Sequence, residues 1–453
     1  MRIYFLATFF CFFTLELSAQ VVDYRLDFEG TGQLYSGETS PFWLHSNRKG
    51  RLDGKSHLYG LMSGSGNIFI NDSSHFELGV GALYKEGFDD GAKLDEVYFE
   101  YLSRKIGVVL GKKHKEDLFK GLSASNESIL WSLNSSAIPG IRLFTRSPVF
   151  ILNNRGLGFK AGLEEYILDD DRYIEDARIH HKSFHLVYKT RRNLQIALGV
   201  QHFVQWAGIS EEYGKLPNSL NDYIRVFTGM ASDEDVGEGQ EVNALGNQIG
   251  SYEVKVNSKI RGLDFQFLYN HIFEDASGMK MGNFPDGRYA LFIEDNRDEF
   301  WGTPWLKAFM YEFYYTKNQS RDRAGSLIDG ADNYFNNNLY RTGWVYKNQV
   351  IGVPFILLSE NRFRIGTNII AVHHLGLKGK VFDEFPYRFL LSYRQNYGVK
   401  DSFFAEKREV LSTLLELELI DSDYNLKAQL GADINSYKDS TFGVGINFTK
   451  TIF

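Results

Sequence analysis

Long runs of strict period-two alternation constrain this chain more than any other feature. Leu194, Ile196, Leu198, Val200, His202, Val204 and Trp206 fall on one face of a run whose other face carries Gln195, Ala197, Gly199 and Gln201, with only Phe203 breaking that small and polar side. Successive strand side chains point to opposite faces, so such a run is a strand with one oily and one polar side. It is longer than the ~5–6 residues common in soluble strands and fits the ~9–11 that a tilted membrane strand needs. The pattern recurs in Tyr24, Leu26 and Phe28; in Phe76, Leu78, Val80, Ala82 and Tyr84; and in Leu263, Phe265, Phe267 and Tyr269. Further on it returns in Tyr387, Phe389, Leu391 and Tyr393; in Leu415, Leu417 and Leu419; and in Tyr424, Leu426, Ala428, Leu430, Ala432 and Ile434.

Repeated amphipathic strands of this length point to an all-β, transmembrane antiparallel barrel, because only a closed sheet leaves no backbone edge to lipid. The last run, Phe442, Val444, Ile446, Phe448 and Ile452, brings an aromatic strand to the C-terminus, with Lys450 interrupting its apolar face. Aromatic residues make up 15% of the chain and glycines number 43, a composition that favours strands and turns. At roughly 24 residues per strand and connector the chain accommodates about 16–18 strands, an even number being expected.

The N-terminus predicts export. Arg2 provides a positive start, Ile3 to Phe13 a short apolar core, and Leu17-Ser18-Ala19 a cleavage-like end, so residues 1–19 read as a signal peptide and 20–453 as one barrel domain. The single cysteine, Cys11, lies inside that signal, which leaves the mature chain without a thiol for disulfides or metal. A formal charge of -7 makes nucleic acid a poor partner. The expected location is the outer membrane of a Gram-negative bacterium.

Short polar connectors, Asn71 to Ser74, Thr190 to Asn193 and Ile420 to Asp423, suit periplasmic turns. Three longer polar stretches, Pro217 to Gln248, Glu274 to Pro304 and Ser320 to Asn338, are expected as outer loops, where function concentrates. The segment Lys112 to Pro139 alternates weakly and is expected as a helical or irregular element in the lumen or near the periplasmic end.

Several segments resemble the Wzi family of capsule-assembly outer-membrane proteins, in its Bacteroidetes form. These are Ser40-Pro41-Phe42-Trp43-Leu44; Asp117 to Gly121 with Ser128-Ile129-Leu130 and Ile138-Pro139; Phe284-Pro285-Asp286-Gly287; and Asp332 to Asn337 with Tyr340 and Gly343-Trp344. The resemblance implies an 18-stranded barrel, helical material near its periplasmic end, a lectin surface for capsular polysaccharide, and no enzyme activity. Where related sequences carry an Arg-Pro pair, this chain has Ala137-Ile138-Pro139.

Sugar recognition sets aromatic faces against sugar rings and uses amides, carboxylates and arginine for the hydroxyls. Asp332, Asn333, Tyr334, Asn336, Asn337, Tyr340, Arg341 and Trp344 supply that set, and Arg297, Asp298, Trp301 and Trp305 form a second candidate group. The structural alternative is that Asx residues make turns and aromatics form the interfacial girdle. The histidine pairs His180-His181 and His373-His374 sit at adjacent strand positions and point to opposite faces, which argues against one shared ion. Asp169-Asp170-Asp171 lacks a calcium-loop spacing. No nucleophile elbow, phosphate loop or zinc motif is present, so no cofactor and no catalysis are expected.

The expected partners are capsular or surface polysaccharide, outer-membrane lipid and lipopolysaccharide, with the chain itself a monomer. The competing function is a porin or small-solute transporter, suggested by lumen-side Gly79, Gly81, Gln195, Gly199 and Gln201. A membrane-embedded hydrolase is the weaker third possibility.

Overall fold

The alternating runs become the walls of a closed antiparallel barrel in a computed structural model that describes residues 22–152, 155–191, 193–233, 244–297, 304–320, 332–400 and 402–453. In chain order the wall strands are β1 (Val22–Tyr35), β2 (Leu58–Asn71), β3 (Ser74–Lys85), β4 (Gly91–Leu102), β5 (Ile106–Lys112) and β6 (Pro139–Thr145, resuming as Val149–Leu152). They continue with β7 (Arg155–Ile167), β8 (Arg178–Lys189), β9 (Leu194–Trp206), β10 (Asn247–Ile260), β11 (Leu263–Phe273) and β12 (Gly287–Asp295). The circuit is completed by β13 (Ala308–Tyr315), β14 (Ile370–Val381), β15 (Phe385–Val399), β16 (Ser402–Asp421), β17 (Asn425–Asn435) and β18 (Thr441–Thr451). Both pieces of β6 pair with β7, so the 19 sheet segments make 18 barrel strands. Pairing of β1 with β18, from Asp27↔Thr451 to Tyr35↔Gly443, closes the circle and removes both sheet edges.

Side-chain parity follows the sequence alternation. Leu78, Val80, Leu198, Leu430, Val444 and Ile446 are half or more exposed on the outer face. A monomer in water rarely shows so much contiguous apolar surface, whereas a bilayer requires it. Aromatics gather in contiguous cross-strand groups on that face. Tyr269, Tyr289, Phe313, His373 and Tyr393 are paired in register across five strands, with Tyr269 and Tyr289 centroids 4.8 Å apart and Phe313 and His373 4.8 Å apart. Near the opposite end Phe28, Phe448 and Tyr424 form another group, at 6.1 and 5.5 Å. Aromatic girdles of this kind sit at the two interfaces of a membrane.

The two ends differ. Asn71 to Ser74 and Ile420 to Asp423 are tight turns at one end, as expected from their sequence; there too Thr190 N donates to Leu194 O at 2.8 Å, with Arg192 between them outside the described residues. The long connections leave the other end, and three of them turn back into the lumen; in the first, between β1 and β2, Trp43 Nε1 donates to Ser392 Oγ at 3.0 Å and Asn47 Nδ2 to Ala124 O at 2.7 Å. Residues 113–138 descend inside the barrel as irregular chain, so that Lys120 reaches Glu294 and Gly121 meets Arg388 near the short-turn end. Residues 332–358 fold against this segment: Ser132 Oγ donates to Gly352 O at 2.7 Å, Asn134 Nδ2 to Val350 O at 3.0 Å, and Trp344 Nε1 to Leu130 O at 2.7 Å. Three short helices complete the described chain, α1 (Phe42–His45), α2 (Leu220–Thr228) and α3 (Ala276–Met279), and none of them is long and apolar enough to cross a membrane.

These corrections to the sequence reading have physical causes. The helical material implied near the periplasmic end does not occur among the described residues; the lumen segment there is irregular, held by side-chain hydrogen bonds in place of a helix ladder. The stretch Glu274 to Pro304 is not one outer loop, because β12 crosses the wall inside it. Its Tyr289, Leu291 and Ile293 alternation is flanked by Arg288, Glu294 and Asp295, which gave the window a polar average.

Candidate functional site

The interior decides what kind of site this barrel can carry. Trp43, Phe119, Leu122, Leu130, Trp344 and Phe355 come from the inward segments and are nearly solvent-free, packed on the inner faces of β7 through β16. Close approach requires missing side chains in the wall: a Cβ at Gly376 would lie 2.6 Å from the Leu122 carbonyl oxygen. The segment is anchored by a buried ion pair. Arg288 Nη2 and Glu312 Oε1 are 2.8 Å apart, both residues fully buried, and Glu312 also accepts from Ser123 Oγ and the Ala124 amide at 2.7 Å each. Arg288 reaches Glu127 O at 3.2 Å, which ties the two charges to the descending backbone.

Most of the predicted aromatic-amide group belongs to this core. Tyr334, Tyr340 and Trp344 are buried, and their polar atoms are consumed internally. Tyr334 Oη donates to Asp286 Oδ2 at 2.9 Å, Tyr340 Oη to Ala207 O at 3.2 Å, and Trp344 Nε1 to Leu130 O. Asn337 Oδ1 accepts from the Leu339 and Tyr340 amides at 2.9 Å each, and Asn336 Nδ2 donates to Ile365 O at 3.3 Å. Asn333 Oδ1 accepts from Asn368 Nδ2 at 2.7 Å, and Asp332 from Ser320 Oγ. These rings are not offered to solvent as platforms; their Asx neighbours hold tight turns around them.

Arg341 is the exception. It lies on the outer rim, its guanidinium carbon 4.6 Å from the Tyr173 ring centroid and Nη2 3.5 Å from Glu212 Oε2. Tyr173 Oη donates to the same Glu212 oxygen at 2.7 Å, and the Phe363 ring stands edge-on to Tyr173 at 6.3 Å. The connections after β7, β9 and β13 thus bring an aromatic face, a guanidinium and a carboxylate together at the long-loop end. The hydrogen bond from Tyr173 holds the Glu212 carboxyl below the usual carboxylate range, and that shared proton raises the Tyr173 hydroxyl. Glu212 is therefore ionised and an acceptor at neutral pH. Sequence reading missed Tyr173, Glu212 and Phe363, which are spread over nearly two hundred residues; only closure of the barrel makes them neighbours.

The second predicted group lies at the other end. Arg297 pairs with Asp295 at 2.6 Å beside β12, and Trp305 is exposed in the connection to β13; Asp298 and Trp301 lie outside the described residues. Of the outer stretch Ser320 to Asn338, residues 321–331 also lie outside them. Within Asp169-Asp170-Asp171, Asp169 accepts from the Tyr346 hydroxyl and Asp170 from Arg172 and the Lys347 amide, so two of the three fix a turn. In each histidine pair one ring faces outward and one inward: His181 stacks on Phe203 at 3.9 Å, and His374 Nε2 lies 2.8 Å from Leu122 O. Among the described residues no cluster of three or more metal-ligating side chains forms.

Beneath the core, toward the short turns, a polar chamber of about 420 Å³ remains, lined by Lys115, Trp131, Arg142, Lys160, Glu164 and His181 among others. Its charges are largely paired, Lys115 with Glu164 at 2.6 Å and Lys255 with Glu127 at 2.6 Å.

Closed 18-strand architecture, an apolar outer belt, and short turns opposite long loops define the class to which this fold belongs. The chain is a Gram-negative outer-membrane β-barrel. No protein-family model matches its sequence, and no curated protein does. Among solved structures it is similar to Wzi of Escherichia coli, described as an outer-membrane protein involved in group 1 capsule assembly and a carbohydrate-binding β-barrel, with a TM-score of 0.61 at 12% identity over 94% of this chain and 83% of that one. OprD of Pseudomonas aeruginosa superposes with a TM-score of 0.48 at 12% identity over 96% of each chain. The likeness to the Escherichia coli structure, at this identity, carries the fold.

Proposed function

We propose that this barrel binds and anchors capsular or another surface polysaccharide at the cell exterior, without catalysis and without a cofactor. The observation that carries this reading is the pairing of a filled lumen with a half-buried Tyr173-Arg341 pair beside exposed Glu212 on the outer rim. A filled barrel suits holding better than passage. The rim supplies what a sugar needs: a ring face for its apolar side, a fork of donors and an ionised acceptor for its hydroxyls. The carbohydrate binding stated for the Escherichia coli structure is in keeping with it. Binding of purified surface polysaccharide to the folded protein in detergent, with and without Tyr173→Ala and Arg341→Ala, tests the proposal. Retention that depends on both side chains supports it; identical retention by parent and variants refutes the site.

The polar chamber beneath the core favours a second reading, a solute channel whose gate is the inward-folded segment. Planar-bilayer recording separates the two, since a polysaccharide anchor is silent and a channel gives steady unit conductance.

A further inference from the structure

The outer wall breaks its own apolar rule at one place. In the outward-facing columns of β7, β8 and β9, above Leu163, Phe184 and Val200, stand Glu165, His180, Lys182 and His202. Polar groups facing hydrocarbon are costly and need covering. Helix α2 covers them. Tyr223 Oη donates to Glu165 Oε1 at 2.8 Å, beside a 2.5 Å contact from His180 Nδ1 to the same oxygen, and Lys182 donates to the Phe227 carbonyl. Val226 packs with Val204 and Trp206 in a small buried cluster of its own. The helix is firmly bounded: Ser219 and Asp222 form a capping box, and Gly229 takes the left-handed conformation at φ +72° that ends it.

Among the described residues, no protein contact accounts for the outward part of its other face. Leu220 and Ile224, at i and i+4, and Met230 are 76%, 51% and 54% exposed, while Phe227, 44% exposed, stands at the edge of this face with its ring 5.5 Å from that of His180 and 4.8 Å from Lys182 Nζ. The next outward residue on β8 below Lys182 is Phe184, exposed on the lipid belt and stacked on Phe159 at 6.1 Å. The helix stripe therefore continues the belt directly. One face seals a polar patch; the other presents the kind of surface a bilayer boundary receives.

We propose that α2 is an interfacial helix embedded in the outer leaflet, with Leu220, Ile224, Phe227 and Met230 against the acyl chains of outer-leaflet lipid. The inference rests on the wall geometry and stands whether or not the barrel binds polysaccharide. By anchoring the connection between β9 and β10 to the membrane, the helix also fixes the base of the loop that presents Glu212.

The test uses the full barrel folded into phospholipid vesicles. In a Cys11→Ser background the chain has no other cysteine, so Ile224→Cys, Leu198→Cys and Ser440→Cys each accept a single bimane label. Leu198 is the belt reference and Ser440 the aqueous reference. Heat-modifiable gel mobility verifies that each variant is folded. Brominated acyl chains are expected to quench the Ile224 label within about twofold of the Leu198 label, with iodide quenching several-fold weaker than at Ser440. An Ile224 label that behaves like Ser440 overturns the proposal. So does protein-concentration-dependent excimer emission from pyrene at Ile224, which would make a second copy of the chain the occupant.

Discussion

Replacing Glu312 by alanine should unseat the segment that fills the lumen while leaving the wall intact. Glu312 is fully buried, faces Arg288 at 2.8 Å, and accepts from Ser123 Oγ and the Ala124 amide at 2.7 Å. Its loss strands a buried guanidinium, a change that costs roughly 3–5 kcal/mol. At about 1.4 kcal/mol per decade, the population in which residues 113–138 leave their seat rises between about a hundredfold and a few thousandfold. The backbone ladders of β12 and β13 are untouched, so heat-modifiable mobility should persist. Removing both charges with Arg288→Met and Glu312→Leu should recover at least half of the loss, because an apolar pair of similar volume replaces a desolvated one. Brief openings in planar bilayers and new protease cuts within residues 113–138 should appear in Glu312→Ala and subside in the double variant. If the single variant is as silent and protease-resistant as the parent, or the double variant is the leakier of the two, the ion pair does not hold the segment.

A second way to displace the same segment is steric: Gly376→Val places atoms where Leu122 O already stands, within 2.6 Å of the new Cβ, and the same protease assay should show residues 113–138 cut at lower enzyme concentrations. At the rim, Tyr173→Ala and Arg341→Ala should each weaken polysaccharide retention by about tenfold, measured by equilibrium binding, with urea unfolding unchanged. The outer loops should loosen as pH rises. Burial pushes the Asp286 carboxyl up from 3.8 to about 7, so the folded state favours its protonated form; stability is greatest below about pH 4 and falls as pH climbs through 7. The full shift corresponds to a ceiling on the order of 4 kcal/mol. Asp332, pushed up to about 6 by burial, acts in the same direction. Protection of residues 332–340 against hydrogen exchange, taken relative to the intrinsic amide rate at each pH, should be lower at pH 8 than at pH 5, and Asp286→Asn should flatten that difference.

The polysaccharide candidates show where a sequence can mislead. A run of asparagines among aromatics and an arginine reads equally as a sugar site and as a turn-rich core, since amides serve hydroxyls and backbone alike. Tyr334 and Trp344 sit within a dozen residues of Arg341, yet two fill the lumen and the third stands on the rim. Burial there depends on which way the connection folds, and nothing local encodes that.

Strand positions, by contrast, follow from local chemistry. The alternation in β9 and β17 and the short turns at Asn71 to Ser74 and Ile420 to Asp423 are legible because a strand's two faces meet different solvents, and every second residue must answer to one of them. Membership in a closed outer-membrane barrel comes from the same rule applied many times over. Three things had to wait for the tertiary structure: the strand hidden between Gly287 and Asp295, the helix that turns the upper part of β9 from lipid-facing to covered, and the meeting of Tyr173, Glu212 and Arg341. Each depends on contacts between residues far apart in the chain, whereas alternation is a property of neighbours two positions apart.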